Sequence, residues 1–203
     1  MKKLLLIGGT GGIGTELAKV ITGYDVQIAG PQDYDVTGAF ITNTLDADIV
    51  VNLAALTQDN LLAEFHPQSR NTILTNCFGA VNVLTDFLPL MGARGWGRII
   101  LMSSVYSTTN VIGQGVYSAT KAFIDRLVKI AAIENACNGV TINSIQLGYT
   151  GIGMGQSPEI ERAINKTAFK RLCTIEELWR TIQFIIDTEY LTGQNIRLDG
   201  GMR

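Results

Sequence analysis

Histidine and cysteine are scarce in this chain. Its 203 residues include one histidine, His66, and three cysteines, Cys77, Cys137 and Cys173. No two cysteines form a Cys-x-x-Cys pair, so no metal site is expected. An odd, dispersed count suits reduced, buried thiols. Charge of one sign is also lacking. Lys+Arg total 16 and Asp+Glu 18, a net charge of -2. Such a balance gives no electrostatic reason to expect nucleic acid or an anionic membrane as partner. Long hydrophobic runs are missing too. The opening Leu4-Leu5-Leu6-Ile7 is cut off by Gly8-Gly9, which favours a buried strand over a signal peptide. No other apolar stretch reads as a membrane span, and a cytoplasmic location is expected. What remains is a chain with 46% hydrophobic residues and 22 glycines, ample for a packed core.

Strand and helix patterns alternate along it. Strands are expected at Lys3–Ile7, Val26–Ala29, Asp48–Leu53, Gly97–Met102, Gly139–Leu147 and Asn195–Leu198. Helices are expected at Glu16–Ile21, Thr72–Leu90, Tyr117–Ala136 and Ile175–Thr188. The strands read as apolar on both faces, as a parallel sheet between two helix layers requires. The expected fold class is α/β: a Rossmann-like, doubly wound parallel sheet in a single domain over residues 1–203.

Two clusters carry chemistry. Ile7-Gly8-Gly9-Thr10-Gly11-Gly12-Ile13-Gly14 joins the first strand to the first helix. A turn with so little bulk lets a pyrophosphate approach the backbone N–H groups at the positive end of the helix. By itself it is also a tight turn with no ligand. The second cluster is Ser104, at a strand end, followed by Tyr117-Ser-Ala-Thr-Lys121 opening a helix. Tyr117 and Lys121 then share one helix face. A free tyrosine has a pKa of about 10. A neighbouring ammonium favours the phenolate, so Tyr117 can exchange a proton with a carbonyl or alcohol oxygen while Ser104 holds that oxygen. Each residue alone has a bland structural reading; their order, spacing and context together support one mechanism.

The Gly8-x-x-x-Gly12-x-Gly14 spacing resembles that of the short-chain dehydrogenase/reductase family. The likeness extends from Ile7 to Gly201. Asp35-Val36-Thr37 resembles the family's Asp-Val-Thr that lies against adenine. Asn52-Leu53-Ala54-Ala55 resembles its Asn-Asn-Ala-Gly, with Leu53 and Ala55 as departures. Asn143-Ser-Ile-Gln-Leu147-Gly148 resembles Asn-x-Ile-x-Pro-Gly, with Leu147 for the proline. Thr192 to Gly201 matches the last strand and tail. The resemblance implies an NAD(P)-dependent oxidoreductase acting on a small carbonyl or alcohol substrate. Its catalytic residues would be Asn76, Ser104, Tyr117 and Lys121. Cofactor contacts would come from Gly8, Thr10, Gly11, Gly12, Ile13, Gly14, Asp35, Val36, Asn52, Ala54, Tyr117, Lys121, Gly148 and Ile152. Ile152 aligns with a threonine that touches the carboxamide and offers only its backbone. A homodimer or homotetramer is implied as well.

Two segments are shorter than the family pattern. From Ala29 to Asp35 there is barely a turn, where a helix and a strand are usual. Gly30 stands where an acid would select NAD, so NADP is slightly preferred, unless Asp33 reaches the ribose. From Gly153 to Phe169 the substrate flap is short. Gly153, Gly155, Ser157 and Pro158 suggest a mobile loop. The substrate itself is not legible. A 3-oxoacyl thioester on an acidic carrier would need a basic patch, for which Lys129, Lys166, Lys170 and Arg171 are candidates. His66 reads as a surface or capping residue and Trp96 as a turn anchor. The alternatives are a nucleotide-sugar epimerase or dehydratase using the same Tyr and Lys, and a non-enzymatic NAD(P)-binding redox sensor.

Overall fold

A computed structural model describes residues 1–38, 45–57, 59–64, 66–152 and 160–202. Six parallel strands form one sheet in the order β2-β1-β3-β4-β5-β6. They are β1 (Lys3–Ile7), β2 (Asp25–Ala29), β3 (Ile49–Asn52), β4 (Gly97–Ser104), β5 (Val140–Leu147) and β6 (Asn195–Leu198). The chain winds outward from β1 to β2, then crosses back to β3. That reversal places the ends of β1 and β3 beside a crevice, the position where open parallel sheets bind ligands. Among the described residues no strand lies outside β2, so the shortening expected after Ala29 removes a sheet edge strand.

Strand parity builds two cores. Leu5, Ile7, Ile99 and Leu101 face α3 (Gly79–Arg94) and α4 (Gly115–Asn135). Leu4, Leu6, Ile100 and Met102 face α1 (Gly12–Val20) and α6 (Ile175–Asp187). β1, β3, β4 and β5 are buried along nearly their whole length. β2 and β6 are not, because each covers one edge and meets a neighbour on one side only. The expectation that every strand is apolar on both faces therefore fails at the edges. In α6, Ile175, Leu178, Trp179, Ile182, Ile185 and Ile186 form the inward stripe. Each fully buried aliphatic contributes about 1.5–3 kcal/mol relative to exposure. Thr174 starts this helix with a reciprocal cap: its hydroxyl accepts from Glu177 N, and Glu177 returns to Thr174 N.

Several boundaries differ from expectation. α1 starts at Gly12, inside the glycine run: Gly11 caps it in extended geometry, and Gly12 and Gly14 both lie within the helix. Asn52 ends the third strand. The long helix starts at Gln68 as α2 (Gln68–Ile73), passes through a π turn at Leu74–Phe78, and continues as α3 to Arg94. His66 precedes it, and its Nδ1 accepts from Gln68 N at 3.3 Å, the capping role expected. With α2 and α3 joined, Gln68–Arg94 is long enough, and over an 18-residue window apolar enough (mean hydropathy 1.3), to match a membrane span by length and composition, contrary to expectation. Its inner side packs Ala80, Val83, Leu84, Phe87 and Met91 into the sheet core. The expected loop from Gly153 to Phe169 contains a short helix, α5 (Ile160–Lys166); Gly153, Gly155, Ser157 and Pro158 lie outside the described residues. Cys137 is exposed and Cys77 and Cys173 are half-buried, all three free, so only the reduced state is as expected. Burial pushes the Cys77 thiol up, and that of Cys173 up to about 11, which makes neither a ready nucleophile.

Candidate active site

The glycines divide into two kinds. Gly8 has a left-handed φ of 70°, and a Cβ there would sit 2.7 Å from Ala54 N. A Cβ on Gly9 would meet Leu6 O at 2.7 Å, and one on Gly14 would strike the backbone of Gly9. These three let β1, β3 and α1 close on one another. Gly11 and Gly12 are instead exposed. Gly11 caps α1 without a side chain, and its carbonyl takes Thr15 N at 2.9 Å. The helix start is open and unobstructed, which fits a pyrophosphate. Thr10 is exposed beside it and packs under Gly30, where a Cβ would lie 2.9 Å from the threonine side chain.

The remaining cofactor candidates follow the ends of β2, β3 and β5. Asn52 is buried and its Oδ1 accepts from Ala54 N at 3.1 Å, which shapes the end of β3. Asp35 is exposed and takes both the N–H and the hydroxyl of Thr37 at 2.9 and 2.7 Å. Val36 is buried against Gly79, and its carbonyl accepts from Asn82 Nδ2 at 2.8 Å. Gly148 follows β5; a Cβ there would lie 2.9 Å from Asp199 Cα. The Ile152 carbonyl accepts from Thr150 Oγ1 at 3.1 Å, so the backbone group expected to face the carboxamide already has a partner. Asp33 turns back, its Oδ2 accepting from Gly30 N at 2.9 Å. The end of β2 thus carries a carboxylate although Gly30 has no side chain.

A cavity of about 650 Å³ opens at the C-terminal ends of β4 and β5. Ile13, Ser104, Tyr117, Lys121 and Gly148 all line it. Ser104 ends β4; Tyr117 and Lys121 lie one turn apart on α4, with the Lys121 Nζ 5.5 Å from the Tyr117 ring centre. Lys121 is only 2% exposed, and its ammonium donates to Met102 O at 2.7 Å. Burial lowers its pKa to about 8, against the opposing pull of Asp125 and then Cys77. Burial also raises Tyr117 above the usual tyrosine value, and the hydrogen bond with Ser104 only partly offsets this. The sequence expectation that Lys121 draws the phenol down is therefore corrected for the protein alone. Desolvation of the phenolate dominates, and the influence that opposes it is the Ser104 hydrogen bond.

Asn76 lies in the π turn, 1% exposed. Its amide is fully engaged: Oδ1 accepts from Leu56 N at 2.8 Å, and Nδ2 donates to Leu56 O and Thr120 Oγ1, each at 2.9 Å. Thr120 Oγ1 donates to Tyr117 O at 2.7 Å. Asn76 thus ties the segment after β3 to the first turn of α4. The extra residue of a π turn weakens a helix and recurs at functional sites; here it turns Asn76 inward.

Sequence reasoning missed part of the lining. Tyr106 and Tyr149 join hydroxyls across the cavity, and Tyr106 stands edge-on to Tyr117 with ring centres 6.3 Å apart. Gln114 bonds Asp59 and Thr57. Arg162 reaches the cavity from α5, as does Lys166, one of the basic candidates. Their only sequence signal is proximity to Ser104, Gly148 or the flap. Of the four basic candidates Lys166 alone lines the cavity; Arg171 pairs with Glu177 at 2.6 Å instead.

Known proteins resemble this chain in sequence and fold. A family model described as enoyl-(acyl carrier protein) reductase matches residues 13–203. Nodulation protein G of Azospirillum brasilense is 35% identical over 161 residues, 76% of this chain and 65% of that protein. The chain thus spans about two thirds of that relative. The 3-oxoacyl-(acyl-carrier-protein) reductase FabG of Staphylococcus aureus is 32% identical over 195 residues, 91% of this chain and 79% of the reductase. Among solved structures, ElxO with NADP bound gives a TM-score of 0.83 at 24% identity, covering 99% and 98% of the two chains. A Brucella melitensis 3-oxoacyl-(acyl-carrier protein) reductase gives 0.85 at 21%, covering 99% and 91%. At such identities these structures attest the fold. The chain belongs to the short-chain dehydrogenase/reductase family, whose members are NAD(P)-dependent oxidoreductases.

Proposed function

We propose that this chain, acting as one domain, reduces the carbonyl group of a small organic substrate, with Tyr117 as the proton donor. The observation that carries the reading is the convergence of Ser104, Tyr117 and Lys121 on one wall of the cavity beside the open start of α1. A bound nicotinamide supplies or accepts the hydride. Ser104 holds the reacting oxygen by its hydroxyl. Tyr117 gives its proton to that oxygen as negative charge develops there. Its raised pKa suits this direction, because burial keeps the phenol protonated and ready to donate. Lys121 stands behind it as a buried cation and holds the backbone of β4 through Met102. Asn76 acts as a positioning residue; its side chain is spent on Leu56 and Thr120, so a proton relay would have to use its main chain.

The cofactor contacts are Gly8, Thr10, Gly11, Gly12, Ile13 and Gly14 at the helix start. Asp35, Val36, Asn52 and Ala54 flank them, and Gly148 and Ile152 stand beyond β5. Gly30 leaves room for the 2′-phosphate of NADP, whereas the Asp33 carboxylate on Gly30 N favours the ribose hydroxyls of NAD. A carbonyl next to a thioester is the first substrate to try, given the names of the relatives FabG and acetoacetyl-CoA reductase of Rhizobium meliloti. Exposed Phe78, Phe123, Ile130 and Ile133 on the outer side of the π turn and α4 support a homo-oligomer. The three free thiols support a reducing, cytoplasmic setting.

The test is a fluorescence titration with NADPH and with NADH, followed by cofactor oxidation with acetoacetyl-CoA and a panel of simple ketones. Saturable binding of either cofactor and turnover of at least one carbonyl are expected. Binding without any turnover would favour a redox sensor. Binding of neither would sink the reading.

A further inference from the structure

We propose that Asp125 is a positioning residue that keeps Lys121 cationic from one helical turn away. Asp125 follows Lys121 by four residues on α4, so the two lie on one face. It is 8% exposed and has no ion-pair partner among the described residues. A carboxylate in such a place needs donors. Two are aimed at it from β5: Gln146 Nε2 at 2.6 Å on Oδ2, and Ser144 Oγ at 3.1 Å on Oδ1. Ser144 Oγ also lies 2.8 Å from Asn195 Oδ1. One hydroxyl has one proton. If the carboxylate takes it, the Asn195 amide turns to present its NH₂ group to Ser144. Donors on both oxygens are the set an ionised carboxylate accepts.

The sequence alternates apolar residues on this face of β5 up to Ile142 and then changes to Ser144 and Gln146. The change occurs where α4 carries Asp125 and, one turn earlier, Lys121. A buried negative charge is costly unless something uses it. The groups facing Lys121 are few. α4 offers Tyr117 and Asp125, the π turn offers Cys77, and β4 offers the Met102 carbonyl and the Ser103 hydroxyl. The β5 residues Ser144 and Gln146 carry no charge, and both are bound to Asp125. Asp125 is the strongest of the influences that oppose the desolvation of Lys121. The same network reaches the substrate side, since Gln146 Nε2 also bonds Ser107 Oγ at 3.0 Å, three residues after Ser104.

The catalytic consequence rests on the reading that Lys121 works as a cation; the charge coupling itself does not. Lysines labelled with carbon-13 at Cε report the titration of Lys121 by NMR, its signal being the one lost in K121R. In folded D125N the midpoint should fall by about one pH unit or more, because burial is then unopposed. D125E, which keeps the charge, should bring it back. The alkaline limb of the turnover profile should move to lower pH by the same amount in D125N. An unchanged Lys121 midpoint in folded D125N overturns the proposal. A shifted midpoint with an unmoved turnover profile upholds it and removes Lys121 from the mechanism instead. Should D125N not fold, the apolar pair D125L/Q146L removes the charge together with its donor, and the same titration decides.

Discussion

The two ends of β4 are both polar and both buried, yet they are used differently. At its start Arg98 is 2% exposed and nearly saturated. Its guanidinium donates to Ile186 O at 3.2 Å, Gly97 O at 2.9 Å and Gly139 O at 3.4 Å, and reaches Glu189 at 3.5 Å. It also lies over the Trp96 ring at 4.2 Å, with Lys2 against the same ring at 2.8 Å. At the other end Lys121 is equally buried, but among the described residues its three N–H groups hold only Met102 O. Tyr117 and Ser104 likewise face open space. A saturated polar cluster fixes a fold, whereas one with valence to spare is poised for a ligand. Four substitutions test that contrast.

The largest effect is expected at the unsaturated end. Y117F removes one proton donor and nothing that packs. Turnover should fall by about 10²–10⁴-fold, while cofactor affinity and thermal midpoint stay at wild-type values. Turnover at the wild-type rate would end the proposed role of Tyr117. A large loss of stability would show that the phenol is structural after all.

At the saturated end the sign reverses. R98M leaves the Ile186 carbonyl without its donor at a buried contact, while the carbonyl of the exposed Gly139 can turn to water. Unfolding in urea should show a loss of about 3 kcal/mol, with turnover per folded molecule unchanged. Turnover that fell while stability held would mean the start of β4 acts on the site through the strand.

Lys121 tests whether spare valence has a cost. Burial lowers its pKa from 10.5 to about 8. Below pH 8 the amine is charged in both folded and unfolded chains, and folding bears the whole desolvation cost. Between about 8 and 10.5 the unfolded chain binds the additional proton, so stability rises with pH. Above that range the cost is gone. K121M should therefore be more stable than wild type at pH 7, by about 2 kcal/mol after loss of the Met102 bond. The gain should fade toward pH 10.5, with activity lost throughout. A K121M protein less stable than wild type at pH 7 would place Lys121 with Arg98 among the structural groups.

The same contrast explains what was legible beforehand. β1, the glycine turn, β5 and the Tyr117–Lys121 pair follow from local periodicity and spacing, which a sequence displays directly. The π turn does not, because it depends on Asn76 reaching Leu56, twenty residues earlier in the chain. α5 was hidden by the glycines that precede it. The rise in the Tyr117 pKa was misjudged because sequence displays charges but not dryness. Nothing in the sequence singles out Asp125, for its donors Ser144 and Gln146 come from another element. The setting of Arg98 is likewise invisible in sequence, since the carbonyls it serves lie on three separate segments.

The smallest effect is expected at Glu189, and it discriminates between two accounts of the saturated end. Among the described residues Glu189 is the carboxylate that pairs with Arg98, but its side chain is 80% exposed against 2% for the arginine. An ion pair with one partner in water at 3.5 Å contributes about 0–1 kcal/mol. The carbonyls of Ile186 and Gly97, by contrast, meet the guanidinium at buried contacts. If those bonds and the Trp96 ring hold Arg98, E189A should cost no more than about 0.5 kcal/mol in urea unfolding. It should also abolish what little salt dependence the wild type shows there. A cost near that of R98M would mean that charge pairing holds this end of β4. Saturation by backbone carbonyls would then no longer be what separates it from the end that carries Ser104.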